Sequence, residues 1–234
     1  MHPSPTLSII VPCLNEAARI ATALARLTPL RKRGAELIVV DGGSEDDSVE
    51  RALPLANRVA KSKRGRAVQM NAGAALATAP ALLFLHADCA LPNYADSLIL
   101  KGLAVTGAHW GRFDVSLEGS HPLLPVIAGM MNLRSRATAI ATGDQGIFVT
   151  RDLFAAVGGF PEIPLMEDIA LCRRLKSRGA PLCLPQRLTT SARRWEQRGV
   201  LRTILLMWWL RLEYYCGADP SRLAARYDVV RERG

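Results

Sequence analysis

The sequence predicts an α/β domain: a mostly parallel sheet with helices on both faces. Three observations carry that expectation. Short apolar runs alternate with amphipathic stretches through the first 90 residues. The apolar runs are nearly continuous, as in strands buried on both sides. Polar clusters follow the runs directly, and open α/β sheets bind their ligands outside the carboxyl ends of their strands.

Leu7 to Cys13 (LSIIVPC) reads as the first strand. Ala17, Ile20, Leu24 and Leu27 recur at helical spacing, giving a helix that Pro29 stops. Glu36 to Val40 is the second strand. Asp41-Gly42-Gly43-Ser44 turns the chain, and Glu45, Asp46 and Asp47 supply an acidic first turn to the next helix. Arg58 to Ala60 is a short third strand, and residues 66 to 78 form an alanine-rich helix. Ala81 to Leu85 is a fourth strand ending at His86-Ala87-Asp88. Residues 109–117 alternate as a later strand, and residues 121–134 read as a helix. Met166 to Lys176 is a helix that Gly179 ends. Val200 to Cys216 and Pro220 to Arg231 are two C-terminal helices.

Composition narrows the functional classes. With 234 residues, 49% of them hydrophobic and 22% charged, the chain can bury an ordinary core, which excludes wholesale disorder. The formal net charge is +9, and 25 of the 30 cations are arginine, the side chain suited to planar anions such as phosphate. The five cysteines are scattered and form no CxxC pair, against a disulfide framework or structural zinc and in keeping with a cytoplasmic setting. Pro12 breaks the N-terminal apolar run. Ile204 to Leu210, flanked by Arg202 and Arg211, is far shorter than the roughly 20 residues of a membrane span. Neither a signal peptide nor a spanning helix is expected.

Five clusters carry potential chemistry. Asp41, at a strand end before two glycines, suits a nucleobase or ribose, or else a plain turn. Arg66, Gln69 and Gly73 share one helix face behind Gly65, with Lys61, Lys63 and Arg64 close by, as a diphosphate platform would. Asp88 at a buried strand end suits Mg²⁺ or Mn²⁺, and His86 points to the same side of an extended chain. Glu167-Asp168 open a helix, where carboxylates stabilise the dipole or act as a general base. Arg193-Arg194-Trp195 pairs guanidinium with indole, suited to a phosphate and a stacked ring.

In order, Pro12-Cys13-Leu14-Asn15-Glu16, Val40-Asp41-Gly42-Gly43-Ser44, Gly65-Arg66 with Asn71 and Gly73, His86-Ala87-Asp88, Gly143-Asp144-Gln145 with Arg151, Gly158-Gly159-Phe160, Glu167-Asp168 and Arg194-Trp195 resemble a family-2 glycosyltransferase of the GT-A fold. The resemblance runs from Leu7 to Trp195. It is nearest to the small bacterial radical-SAM or selenodomain-associated branch, some members of which are linked to arsenosugar biosynthesis. The usual Asp-x-Asp stands here as His86-Ala87-Asp88.

The resemblance implies inverting transfer of a sugar from a nucleoside diphosphate sugar, UDP-type, to an acceptor. Residues 1–196 would be the GT-A domain, with 1–90 its nucleotide-binding half and 91–196 its acceptor and catalytic half; 197–234 would be a helical extension packed on it. Asp168 would be the catalytic base, with Glu167 supporting it. Asp88, with His86 as a second candidate, would hold the divalent metal. The nucleotide sugar would lie on Pro12, Asn15, Glu16, Asp41, Gly43, Arg66, Gln69, Asn71, Gly73, His86, Ala87, Asp88, Asp144, Arg194 and Trp195. A nucleotidyltransferase is a rival, although the loop after the first strand lacks its glycines. A nonenzymatic nucleic-acid binder is a second rival, but the cations are spread along the chain with no aromatic interleaving. Residues 200–216, with Leu201, Ile204, Leu205, Trp208, Leu212 and Tyr215 at near-helical spacing, suit the domain surface, a second subunit or the cytoplasmic face of a membrane.

Overall fold

The computed structural model describes residues 4–193 and 199–232. Eight strands form one sheet: β1 (Leu7–Cys13), β2 (Ala35–Asp41), β3 (Arg58–Lys61), β4 (Ala81–Phe84), β5 (Cys89–Ala90), β6 (Trp110–Glu118), β7 (Ile147–Thr150) and β8 (Leu182–Ser191). Their spatial order is β3-β2-β1-β4-β7-β6-β8-β5. The first four are mutually parallel. β7 enters antiparallel between β4 and β6. β6 and β8 pair in parallel, and β5 closes the far edge antiparallel to β8. The expected mixed, mostly parallel α/β sheet is the one observed. The chain crosses from the β2 side of β1 to its β4 side, so the switch point of the sheet lies between the ends of β1 and β4.

The helices are α1 (Ile20–Ala25), α2 (Thr28–Lys32), α3 (Ser48–Ala52), α4 (Arg66–Leu76), α5 (Ala95–Thr106), α6 (Leu124–Thr138), α7 (Arg151–Ala156), α8 (Glu167–Lys176), α9 (Val200–Tyr215) and α10 (Pro220–Glu232). Alternation along each strand divides the core into two. Ile9, Val11, Leu37, Val39 and Leu83 face α1, α2, α3 and α5 through Ile20, Leu24, Leu30, Ala52 and Ile99. Ile10, Ile38, Val40, Leu82 and Phe84 face α4, α7 and α8 through Met70, Ala74, Phe154, Leu171 and Leu175. Leu210 of α9 and Leu223 of α10 join this second core. Among the described residues, no helix is long and apolar enough to cross a membrane.

Three local expectations are corrected. Pro29 does not stop a helix; it occupies the first turn of α2, where its missing N–H costs nothing. Glu45 to Asp47 are not a first turn, because α3 begins at Ser48 and Asp46 instead accepts the Ser48 N–H at 3.1 Å. Residues 86–88 form a turn and not an extended chain. β8 escapes pattern reading because a register shift opposite Phe113 and Asp114 skips Pro185 and Gln186, which breaks its alternation. α5 and the four-residue β7 were likewise not anticipated from the pattern.

Gly73 belongs to this framework. α4 approaches the sheet so closely that a β-carbon at Gly73 would stand 2.4 Å from Ile10 Cγ2 and 3.1 Å from Val40 Cγ2. Gly73 therefore has a packing role between α4 and the sheet. Gly73→Ala must push α4 off β1 and β2, with an expected loss of about 1–3 kcal/mol in urea unfolding. Unchanged stability would show that α4 is not held at this distance.

Candidate active site at the switch point

The loops after β1 and β2 are laced together by side chains. Asn15 Oδ1 accepts the Glu45 N–H at 2.9 Å, and Ser44 Oγ accepts the Asn15 N–H at 2.9 Å. Ser48 Oγ takes the Glu16 N–H at 2.7 Å, and Asp46 takes the Ala17 N–H at 3.0 Å. Asn15 sits at φ +53, a left-handed position that asparagine tolerates. Asp41 is 1% exposed. Its carboxylate accepts the Gly43 and Ser44 N–H groups at 3.0–3.1 Å and the Ser44 hydroxyl at 2.5 Å. Asp41 thus shapes the Gly42-Gly43 turn from inside. Pro12 lies in β1, and Gly43 at the turn has open space around its α-carbon.

α4 holds these loops. Gln69 donates both amide hydrogens to backbone, to Cys13 O at 2.8 Å and Val40 O at 2.9 Å, at the ends of β1 and β2. Asn71 donates to Phe160 O and accepts from Phe160 N, both at 2.9 Å, fastening the Gly158-Gly159-Phe160 loop. Gln69 and Asn71 therefore do not present their amides to a diphosphate; satisfying buried backbone groups consumes them. Arg66, at the start of the same helix, is exposed and reaches Glu167 Oε1 at 3.4 Å. That contact joins motifs a hundred residues apart.

His86 and Asp88 follow β4. Ligand-capable atoms of His86, Asp88 and Cys89 lie within 4.8 Å of one another. Burial, and after it Asp144 and Asp88, hold the Cys89 thiol well above its ordinary range. A neutral thiol is a poor partner for a hard dication, so that cluster fits Mg²⁺ or Mn²⁺ through Asp88. His86 is already engaged: Nδ1 lies 3.4 Å from Asp144, and the ring packs on Gly143, where a β-carbon would be 2.4 Å from Nε2. This fit explains Gly143. Gln145, fully buried, anchors the same turn by donating to Ser135 Oγ at 3.2 Å.

Glu167 and Asp168 open α8 behind Met166, a left-handed residue at φ +68. Such strain at a bulky side chain is stored where the surroundings over-determine it. Asp168 Oδ2 accepts the Gly143 N–H at 3.0 Å. His86, Gly143, Glu167 and Asp168 meet at a crevice of about 10 Å³ walled by Met70, Phe84, Ile147 and Phe160, room for about one water. That wall pushes the Asp168 carboxyl up to about 6, mainly by desolvation and next by the Glu167 charge; the Gly143 and Ile169 amides and Arg66 oppose the rise. The apolar wall was not read from the sequence, because its four members come from four separate elements. The positions Arg194 and Trp195 lie outside the described residues. Ala87 sits in the turn between His86 and Asp88.

Residues 8–118 match the family model described as "Glycosyl transferase family 2". PGL/p-HBAD biosynthesis glycosyltransferases of Mycobacterium tuberculosis and Mycobacterium bovis are 34% identical to the chain over 113 residues, 45% of this chain. The chain spans 43% of the length of these curated relatives. Among solved structures, a mannosyltransferase from Pyrobaculum calidifontis in complex with GDP-Man and Mn²⁺ superposes with TM-score 0.61 at 22% identity, covering 80% of this chain and 57% of that one. S. aureus TarS 1-349 in complex with UDP-GlcNAc superposes with TM-score 0.63 at 16% identity, covering 80% and 58%. The fold is GT-A.

A carboxyl whose pKa is raised by folding carries a stability signature. The folded value of Asp168 lies above the ordinary 3.8, so stability is lost as pH rises from about 4 through about 6, and the loss is complete above. Asp168→Asn should therefore melt higher than the wild type at pH 8, and the difference should vanish near pH 4. An equal shift at both pH values would show that Asp168 is not held protonated by its surroundings.

Proposed function

We propose that the chain is an inverting glycosyltransferase that moves a sugar from a nucleoside diphosphate sugar, UDP-type, to an acceptor. The observation that carries this reading is one juxtaposition: a carboxyl raised toward neutrality, Asp168, beside the strand-end groups of a GT-A sheet whose first half matches the family-2 model. The nucleotide would lie along the laced loops after β1 and β2, against Gly43 and the Asn15-Glu16 segment. Residues 1–90 would serve the donor, 91–196 the acceptor and the chemistry, with 197–234 packed behind.

The acceptor hydroxyl would attack the anomeric carbon from the face opposite the diphosphate. The new carbon–oxygen bond forms as the bond to the diphosphate breaks, and the acceptor proton passes to an oxygen of Asp168. An ionised base is needed, and the Gly143 and Ile169 N–H groups keep the carboxylate aimed. Glu167 would tie Arg66 to the site, and Arg66 would meet charge on the departing diphosphate. A divalent cation, when bound, would supply further positive charge there; Asp88 would hold it, with His86 oriented by Asp144 alongside.

Release of nucleoside diphosphate from UDP- and GDP-sugars with Mn²⁺ tests the reading. Asp168→Asn should lower turnover by roughly 10²–10⁴-fold with nucleotide affinity unchanged. Wild-type turnover should rise with pH through about 6 and then level, because Asp168 must lose its proton. Glu167 faces it at the crevice, and Arg66, Arg134 and Cys172 lie within its electrostatic reach. Full activity in Asp168→Asn overturns the base; pyrophosphate as product would favour a nucleotidyltransferase.

A further inference from the structure

A second cavity lies behind the first. It measures about 510 Å³ and is bordered by α6, α8 and α9. Its polar wall is Arg134, Lys176, Arg211, Thr138 and Tyr215, and among the described residues no carboxylate lines it. Arg173 adds a further cation, its guanidinium 5.3 Å from the centre of the Tyr215 ring. Three cations thus converge on the cavity with a fourth close by, and among the described residues no carboxylate lines it, an arrangement that costs electrostatic energy until an anion enters.

Arg134 makes the case specific. Its Nε and Nη2 are fully shielded and have no hydrogen-bond partner among the described residues. Two orphaned donors on one buried guanidinium are uncommon and need an occupant. Burial, and repulsion from Arg112, hold the Arg134 guanidinium below its ordinary range, while Asp168 and Tyr215 oppose that. Arg112 cannot take up the role, because it is 1% exposed and already bonded to Asp114 and to Asn132 O. Among the described residues Lys176 reaches only a backbone oxygen, Thr138 O at 3.5 Å. Ile169, next to Asp168, forms part of the same wall, so the cavity and the crevice adjoin across the first turn of α8.

We propose that this cavity binds a phosphate group on Arg134, Lys176 and Arg211, and that the phosphate is carried by the sugar acceptor. The second half of that statement rests on the glycosyl-transfer reading; the first does not. A planar guanidinium with two adjacent donors matches two phosphate oxygens, and the flanking Ala137, Ile140 and Ile169 accommodate an apolar body attached to it. α9 leaves Leu205, Trp208, Trp209 and Leu212 largely exposed beside the cavity, so a lipid-borne phosphate and a water-soluble one are separate arms of the test.

The experiment uses the full chain without donor nucleotide. Inorganic phosphate should raise the melting temperature by roughly 5–10 °C at a hundredfold excess over Kd. The shift should fall at least tenfold in apparent affinity in Arg134→Gln and in the surface double variant Lys176→Gln/Arg211→Gln. The second variant keeps the test valid where the first is poorly folded. UDP with Mn²⁺ should shift these variants as it shifts the wild type, which separates this cavity from the donor site. Flotation with phosphatidylcholine vesicles, with and without phosphatidic acid, then identifies the carrier. Binding that needs phosphatidic acid and is lost in the variants marks a lipid phosphate, and a phosphate shift without flotation marks a soluble one. No shift and no flotation, or a shift that the variants leave intact, overturns the proposal. Neither of those failures bears on nucleoside diphosphate release from the donor.

Discussion

Everything at the carboxyl edge of the sheet depends on one carboxamide. Where β1 and β2 stop, their chains diverge into loops and the Cys13 and Val40 carbonyls point at α4, the first of them also accepting the Gly42 N–H at 2.9 Å. Gln69 answers both. An unmet carbonyl there would cost on the order of 1–3 kcal/mol, so the helix is bound to this position. Its other consequences follow from spacing along α4. One turn on, Gly73 has to be bare because the helix now rests on Ile10. Between them, Asn71 clamps the Phe160 loop, and at the helix start Arg66 reaches Glu167. A single helix sets the distance from the loops after β1 and β2 to the carboxylates.

The electrostatics are arranged in layers. Acidic groups gather at the crevice, where apolar side chains from four elements exclude water and hold Asp168 near neutrality. Cations gather behind it, around Arg134. The two groups are separated by the first turn of α8, so each lies in the field of the other. Opposite charge that is near but unpaired tunes acidity without extinguishing it, whereas a direct Arg134–Asp168 bond would fix the carboxylate as a charged structural group.

The parallel half was legible because its strands are continuous apolar runs and its helices repeat every three to four residues. β8 was hidden by its bulge at Pro185 and Gln186, and β7 by being only four residues long. At the candidate site, His86, Asp144, Glu167 and Asp168, singled out by residue type, converge. Residue type does not say whether a polar group faces the cleft or the core. Gln69, Asn71 and Asp41 have side chains suited to ligands and spend them on backbone. Only the depth of α4 and the curvature of the Asp41 turn decide this, and both are tertiary properties. Arg134 sits in an ordinary helical Arg-Ser-Arg stretch, so nothing local distinguishes it.

The insertion of β7 beside β4 has a kinetic meaning. β4 gains its second neighbour only when residues 147–150 arrive, and Cys89 waits for Thr190. Most of the pairing is therefore remote in the chain, and ordering it requires closing long loops before any return is felt. Until then an apolar strand edge stands open, the kind of surface on which chains associate. The first half is thus not an autonomous module awaiting a partner; it is an unfinished sheet, and the chain should condense late, slowly and as one unit.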